Sequence, residues 1–287
     1  PVMTLFRNAL VLTALLAVPA SAQQPAEDYP SYLYSRGFFT EARSAYLHQS
    51  WSAKDESSRV CALFWASKSM LESGNFAKAE LELYDLSRRA GVDPAVKEAA
   101  AFEYLRAQYF QKRYSVITES VGQEKLPVRT QVLMFWALIG DGEWQSAETL
   151  AADITQRGGL GESEQRSFSA AADLVRTRPE FNTVSPLLAA SLSAAIPGAG
   201  HAYAGSWTNA FGSFLLNSVF IALTAYSVHE RNYLAAGVCG FLEIGWYAGN
   251  IASAYQTAAF ANIAAERRYK TRIGNSFPFP IGYTYRF

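Results

Sequence analysis

The sequence predicts an all-α protein: a solenoid of helical hairpins followed by a helical transmembrane hairpin of two or three membrane segments. Three observations carry this expectation. A Gly-x-aromatic-x-x-Ala pattern recurs through the first half, charge vanishes from the second half, and two apolar stretches of that half are long enough to cross a bilayer. Charged residues make up 17% of the chain, against roughly 25% in soluble globular proteins, and the deficit is local. Between Asn182 and Ala265 the formally charged side chains are Glu230, Arg231 and Glu243 alone, whereas Glu27 to Glu180 is charged throughout. Four segments follow: a signal peptide over 1–22, a periplasmic repeat domain over 23–180, a helical membrane domain over 184–265, and a basic and aromatic tail over 266–287. With a net charge of zero, nothing points to a nucleic-acid partner, which requires clustered Lys and Arg. Cys61 and Cys239 fall one in each half and read as small buried hydrophobes.

The first segment is an address. Arg7 precedes the apolar run Ala9 to Val18, and Pro19-Ala20-Ser21-Ala22 supplies an Ala-x-Ala site for cleavage after Ala22. That run is too short for a bilayer of about 30 Å, which needs roughly 20 residues. Everything from Gln23 onward is expected to be exported into a bacterial cell envelope.

The repeat comes next. It reads Gly37-Phe38-Phe39-Thr40-Glu41-Ala42, then Gly74-Asn75-Phe76-Ala77-Lys78-Ala79, then Gly142-Glu143-Trp144-Gln145-Ser146-Ala147, with a degenerate copy at Lys112-Arg113-Tyr114-Ser115-Val116-Ile117. Its aromatics, Phe39, Phe76, Tyr114 and Trp144, lie 37, 38 and 30 residues apart. Glycine permits a tight turn between paired helices, the aromatic plugs the hairpin, and the small residue lets the second helix approach closely. Helical spacing supports this: Val60, Leu63, Phe64, Ser67 and Leu71 share one face, as do Leu81, Tyr84 and Leu86. Asp93-Pro94 places an N-cap before a proline at the first helical position, and further helices are expected over Leu126–Ile139 and Glu143–Gln156. The aromatics Tyr104, Tyr109, Phe110, Phe135 and Trp136 are expected mostly in the hairpin core.

Across roughly residues 29–178 this stretch resembles the tetratricopeptide repeat family, although the usual Trp, Leu and Gly of the first helix are mostly missing. The resemblance implies an array that binds a protein partner.

Three apolar stretches follow Pro186. The first, Leu187 to Ala204, carries Pro197, Gly198 and Gly200, so it is a broken or re-entrant element, or a helix ending near Ile196. The second, Ala210 to Val228, has no formal charge, and the third, Tyr233 to Ala254, has only Glu243. The connection His229-Glu230-Arg231-Asn232 is short enough to force an antiparallel hairpin. A buried pair of helices in a soluble protein is the competing expectation. The residues Pro197, Gly198, Gly200, Tyr203 and Gly205 resemble the Pro-Gly-x-Gly-Gln-x-Tyr-x-Gly string that introduces the hairpin of small bacterial membrane domains, with His201 in place of Gln. That resemblance implies a membrane domain and no particular chemistry.

Asn209, Ser213, Asn217 and Thr224 fall at helical spacing, as do Glu243, Tyr247, Asn250 and Thr257. Polar groups facing lipid cost several kcal/mol, so these stripes are expected to face each other or the first stretch. Gly245 and Gly249 offer a close-packing face. His201, Asn217, Glu243 and Asn250 form the candidate polar site, with Glu243 bonded to Asn217 or His201. It is either the glue that fixes the hairpin register or a working membrane site.

Orientation rests on two opposed signals. The basic residues Arg267, Arg268, Lys270 and Arg272 favour a cytoplasmic tail and therefore an odd number of crossings, three. The ending Ile281-Gly282-Tyr283-Thr284-Tyr285-Arg286-Phe287 alternates like a barrel's closing strand, which would have to add to a partner's sheet.

Nothing in the residues names a reaction. His48, His201 and His229 stand in no metal-ligand spacing, and no nucleophile elbow or phosphate loop is present. No cofactor, metal or catalytic residue is expected; a membrane-embedded hydrolase using His201 and Glu243 would lack an identifiable nucleophile. The expected function is a membrane-anchored interaction or assembly scaffold whose array binds an envelope protein. The alternative is a lipid- or small-molecule-binding membrane protein using the stripe around Glu243.

Overall fold

The computed structural model describes residues 28–120 and 126–278, all helical or connecting, with no strand among them. The expected signal peptide and the ending at Ile281–Phe287 lie outside the described residues. The chain forms two compact units, meeting in sequence at Leu126 and Pro127.

The first unit contains α1 (Tyr29–Ser35), α2 (Phe39–Ser52), α3 (Glu56–Glu72), α4 (Phe76–Arg88), α5 (Pro94–Phe110) and α6 (Tyr114–Ser120). Three of them, α1, α3 and α5, start at an aspartate whose side chain satisfies a free amide of the first helical turn. Asp55 accepts from the Ser58 amide at 2.8 Å, and Asp93 accepts from the Ala95 amide at 2.7 Å, with Pro94 opening α5 as expected. Consecutive helices pack as antiparallel pairs, and α3 also meets α5. Their shared core runs through Phe64, Leu71, Ala79, Leu83, Leu86, Val96 and Ala107. One expectation is corrected here. The buried face of α4 is Ala79, Leu83 and Leu86, while Leu81 and Tyr84 point to solvent at 69% and 47% exposure. The sequence spacing of 79, 83 and 86 gives a cleaner helical stripe than 81, 84 and 86.

The second unit contains α7 (Val128–Asp141), α8 (Trp144–Arg157), α9 (Glu162–Arg176), α10 (Pro186–Ala195), α11 (Ala199–Tyr203), α12 (Trp207–His229) and α13 (Tyr233–Ser276). Phe135 and Trp136 are buried in α7, as expected. The dominant element is α13, 44 residues without a break. Its first half packs against α12 and α10, and its last turns reach α9. There the Tyr269 hydroxyl donates to the Leu174 carbonyl at 2.7 Å, Lys270 Nζ donates to the Gly140 carbonyl at 3.1 Å, and Phe277 meets the Phe168 ring edge-on. The basic run Arg267 to Arg272 therefore belongs to a helix that is packed on α7–α9.

Among the described residues, α12 alone is long and apolar enough to cross a membrane, and only 6% of its most apolar window is buried. The rest of the described chain therefore leaves most of this helix uncovered. The expectation that the third apolar stretch would pass the same test is not met: Glu243, Asn250 and, between them, Gly245, Trp246, Tyr247 and Gly249 lower its hydropathy. Gly245 and Gly249 face outward, with nothing within 4 Å of an added Cβ, so their expected close packing does not occur within the chain.

Candidate functional site

The recurring hexapeptide marks one repeated turn. Gly37, Gly74 and Gly142 adopt φ of +79°, +87° and +85°, and Lys112 takes the same left-handed conformation at 60° in the degenerate copy. At each, two backbone bonds close the preceding helix. The Gly37 amide donates to Tyr34 and the next amide, Phe38, donates to Leu33; Gly74 and Asn75, Lys112 and Arg113, and Gly142 and Glu143 repeat the pair. This double bond to a helix's last turn is the Schellman arrangement, which requires φ above zero at its first donor. Phe39, Phe76, Tyr114 and Trp144 are then the first residues of α2, α4, α6 and α8. Three positions further on, Ala42, Ala79, Ile117 and Ala147 are fully buried.

The same turn recurs twice in the apolar half, where the sequence reading missed it. Gly205-Ser206-Trp207 and Arg231-Asn232-Tyr233 have φ of 78° and 57° at the first residue and the same pair of backbone bonds. Trp207 and Tyr233 open α12 and α13, with Ala210 and Ala236 buried three residues on. An αL residue, a spacer, an aromatic and a small residue at +3 from it would have found both.

Between α10 and α12 the backbone breaks, and α13 repairs it. Asn250, 5% exposed, accepts from the Gly198 amide and donates to the Ser193 carbonyl, both at 3.2 Å. The Ser193 hydroxyl accepts from the Gly200 amide at 3.1 Å, and the Tyr247 hydroxyl donates to the Ala194 carbonyl at 3.0 Å. Asn262 accepts from the Val184 amide and donates to its carbonyl, and the Tyr203 hydroxyl accepts from the Ser185 amide at 3.2 Å. Peptide groups at the break around Pro197 and at the start of α10 are thus satisfied by side chains, as buried backbone groups must be. The glycines are required sterically: a Cβ on Gly198 would lie 2.2 Å from the Ala210 carbonyl oxygen, and one on Gly200 would lie 1.8 Å from that of Ala189.

His201, 2% exposed, is held at both ring nitrogens: Nδ1 lies 3.1 Å from Thr257 Oγ1 and Nε2 lies 3.0 Å from Ser253 Oγ. A neutral imidazole meets both by donating from one nitrogen and accepting at the other. The candidate quartet therefore divides. His201 and Asn250 join one network through Ser253, whose hydroxyl also bonds the Asn250 carbonyl. Asn217 and Glu243 stand outside it. Asn217 Nδ2 donates within α12 to the Ser213 carbonyl at 2.7 Å, and its Oδ1 has no partner among the described residues. Both carboxyl oxygens of Glu243 are buried and likewise unpartnered, so the expected bond to Asn217 or His201 is not made. The ring of His201 is already committed to the two hydroxyls, and Asn217 turns its amide back along its own helix.

The first unit holds a polar centre that sequence reasoning missed. Lys68 Nζ lies 2.7 Å from Glu103 Oε1 and 3.4 Å from Glu72 Oε1, Arg106 reaches Glu72 at 3.1 Å, and Arg106 and Glu103 also pair directly. Lys68, Glu103 and Arg106 side chains are entirely buried. Two cations and two carboxylates balance, joining α3 to α5. Burial works against the Arg106 charge, but Glu103 and Glu72 outweigh it and hold the guanidinium above its ordinary pKa. Tyr34, whose hydroxyl donates to Glu72 at 3.5 Å, is pushed well up, first by burial and then by Glu72 and Glu103. Tyr109 is pushed up to about 12, mainly by burial. The two pairs that meet across helices, Lys68–Glu103 and Glu72–Arg106, are 35 and 34 positions apart in sequence, so no local pattern joins the two halves of the cluster.

Among the described residues, no three His, Cys, Asp or Glu side chains come together where they could hold a metal. Cys61 and Cys239 are free thiols. No family model matches the sequence, and neither a curated protein nor a solved structure matches it.

Proposed function

We propose that this chain is a membrane-anchored interaction scaffold of the bacterial cell envelope. In this reading a tetratricopeptide-like array engages a protein partner, and the α12–α13 hairpin holds the complex at a bilayer. One observation carries the reading. The helix α13 begins beside α12, whose apolar surface is largely uncovered, and ends packed against the hairpin α7–α8 and α9. A free apolar helix needs a cover, and lipid is a cover of the right dimension for 23 residues. The continuous helix ties that anchor to part of the array without a flexible joint.

The same contacts bear on topology. Residues 266–276 pack on α7–α9, so both lie on one side of any bilayer that α12 crosses. In this reading the hairpin crosses twice, rather than the three times suggested by the basic run, and the 230–232 turn lies on the opposite side. Of the basic run, Lys270 pairs with Glu266 one turn earlier on α13 at 2.9 Å and donates to the Gly140 carbonyl of α7 at 3.1 Å.

In-cell crosslinking followed by mass spectrometry of the purified chain tests the scaffold. A stoichiometric protein partner is expected, and it is lost when Gly74→Val and Ala79→Asp disrupt one repeat turn. Retention of that partner by the disrupted array would contradict the reading. The alternative, a lipid or small-molecule site centred on Glu243, predicts instead that Glu243→Gln abolishes activity in cells while the array variants keep it.

A further inference from the structure

We propose that a cleft of about 400 Å³ between α11, α12 and α13, lined by His201, Thr208, Asn209, Ser213, Ser253 and Thr257, binds the hydroxyl-bearing glycerol end of an uncharged lipid of the diacylglycerol type. The inference rests on the membrane reading of α12.

Position is the first ground. The cleft opens at the start of α12, beside Trp207 and Phe211, which are 72% and 68% exposed. Of these, Trp207 is the amphipathic one, and an exposed Trp at the end of an apolar span marks the level where hydrocarbon gives way to headgroups. A polar cleft at that level meets the glycerol region of a lipid, and the acyl chains can continue along the exposed Leu215 and Val219 of the same helix.

Chemistry is the second. Six lining side chains are polar and none carries Lys, Arg, Asp or Glu. Bringing a phosphate into such a lining would leave its charge uncompensated, whereas hydroxyls and ester carbonyls match hydroxyl and amide partners. His201, Ser253 and Thr257 are fixed by their mutual bonds and form a rigid floor. The side chains of Thr208, Asn209 and Ser213 make no hydrogen bond to the described residues and remain available to a ligand. Polar groups left facing lipid without partners are costly, and a hydroxyl-bearing lipid end removes that cost. Size is the third: the volume lies within the usual range for small-molecule sites, about 300–1,000 Å³.

Gly212, on the cleft wall, permits a clean occluding variant, because an added Cβ there meets nothing within 4 Å. The full chain is purified in detergent and reconstituted into phosphatidylcholine nanodiscs containing a photoactivatable diacylglycerol. The expected result is saturable labelling within 207–216 and 253–257, competed by unlabelled diacylglycerol and reduced about tenfold by Gly212→Leu. Asn209→Ala with Ser213→Ala reduces it in the same direction without filling the cleft. Unsaturable labelling spread over Phe214, Leu223 and Phe241 would show the chain in the bilayer with an unused cleft, and it overturns the inference alone. Stronger competition by phosphatidylglycerol than by diacylglycerol also overturns it, since the site would then read charge. Failure of the chain to enter nanodiscs overturns the inference and the membrane reading together.

Discussion

Glu82 shows how a single side chain stitches neighbouring hairpins. It accepts two bonds from Arg43, at 2.8 and 2.9 Å, and one from the Ser67 hydroxyl at 2.7 Å. Burial pushes its carboxyl up, but the bonds from Arg43 and Ser67 more than reverse that and leave it below the ordinary value of 4.5. A carboxyl whose pKa is lowered by folding stabilises the fold above its unfolded pKa, and that contribution is lost as pH falls through the folded value. Glu82→Gln is therefore expected to cost about 0.5 kcal/mol near neutrality, as for other half-exposed ion pairs. It should also flatten the loss of stability below pH 4.5, measured by urea titration of the full chain in detergent across pH. An unchanged acid limb would contradict the assignment. None of these contacts was legible beforehand: Arg43 and Glu82 lie 39 positions apart, and the Lys68–Glu103 pair is separated by 35. Glycine requirements were legible only where a turn demanded them. That Gly200 must be glycine because the Ala189 carbonyl passes over it emerges from packing alone. Gly200→Ala is expected to destabilise the apolar half by about 3 kcal/mol, the upper end of the usual range for overpacking. Circular dichroism melts in detergent would show it, and an unshifted melt would mean that α10 and α11 are not apposed.

At the scale of elements, the aromatic turn was the most readable feature, because its geometry depends on residues within one hexapeptide. The αL position, the two backbone bonds and the buried small residue all follow from local chemistry. Lys112 tests the point. It occupies the left-handed position at φ 60°, which costs an L-residue roughly 1–2 kcal/mol relative to glycine. After the greater freedom of glycine in the unfolded chain is subtracted, Lys112→Gly is expected to stabilise the array by about 0.5–1 kcal/mol. Denaturant midpoints would register it, and a destabilised variant would show that Lys112 contributes contacts beyond its backbone. Helix ends elsewhere were less legible. The apolar signal in α13 fades after Ala265, yet the helix runs on to Ser276, because Tyr269, Ile273 and Phe277 find a surface on α7–α9 that only tertiary structure supplies. Glu243 illustrates the converse. Its rarity in an apolar helix singled it out, but no partner among the described residues converges on it, while the hydrogen-bonded network forms around His201 and Asn250 instead.

Across the whole chain, the contrast in charge between the two halves anticipated an apolar hairpin, and the turn motif anticipated an array of antiparallel helices. What composition could not anticipate is that the compact units divide at Leu126, placing α7–α9 with the apolar hairpin. In the proposed scaffold, that arrangement makes α13 both the partner of the apolar helix α12 and the bracket to α7–α9. Cysteine accessibility in intact cells examines it most directly. With Cys61 and Cys239 replaced by Ala, single cysteines are placed at the exposed positions Ser163, Glu230 and Arg267, then treated with a membrane-impermeant maleimide before and after permeabilisation. Two crossings predict that 163 and 267 are labelled under the same condition and 230 under the opposite one. If 163 and 267 label under opposite conditions, or if all three label alike, the hairpin does not cross the membrane as proposed.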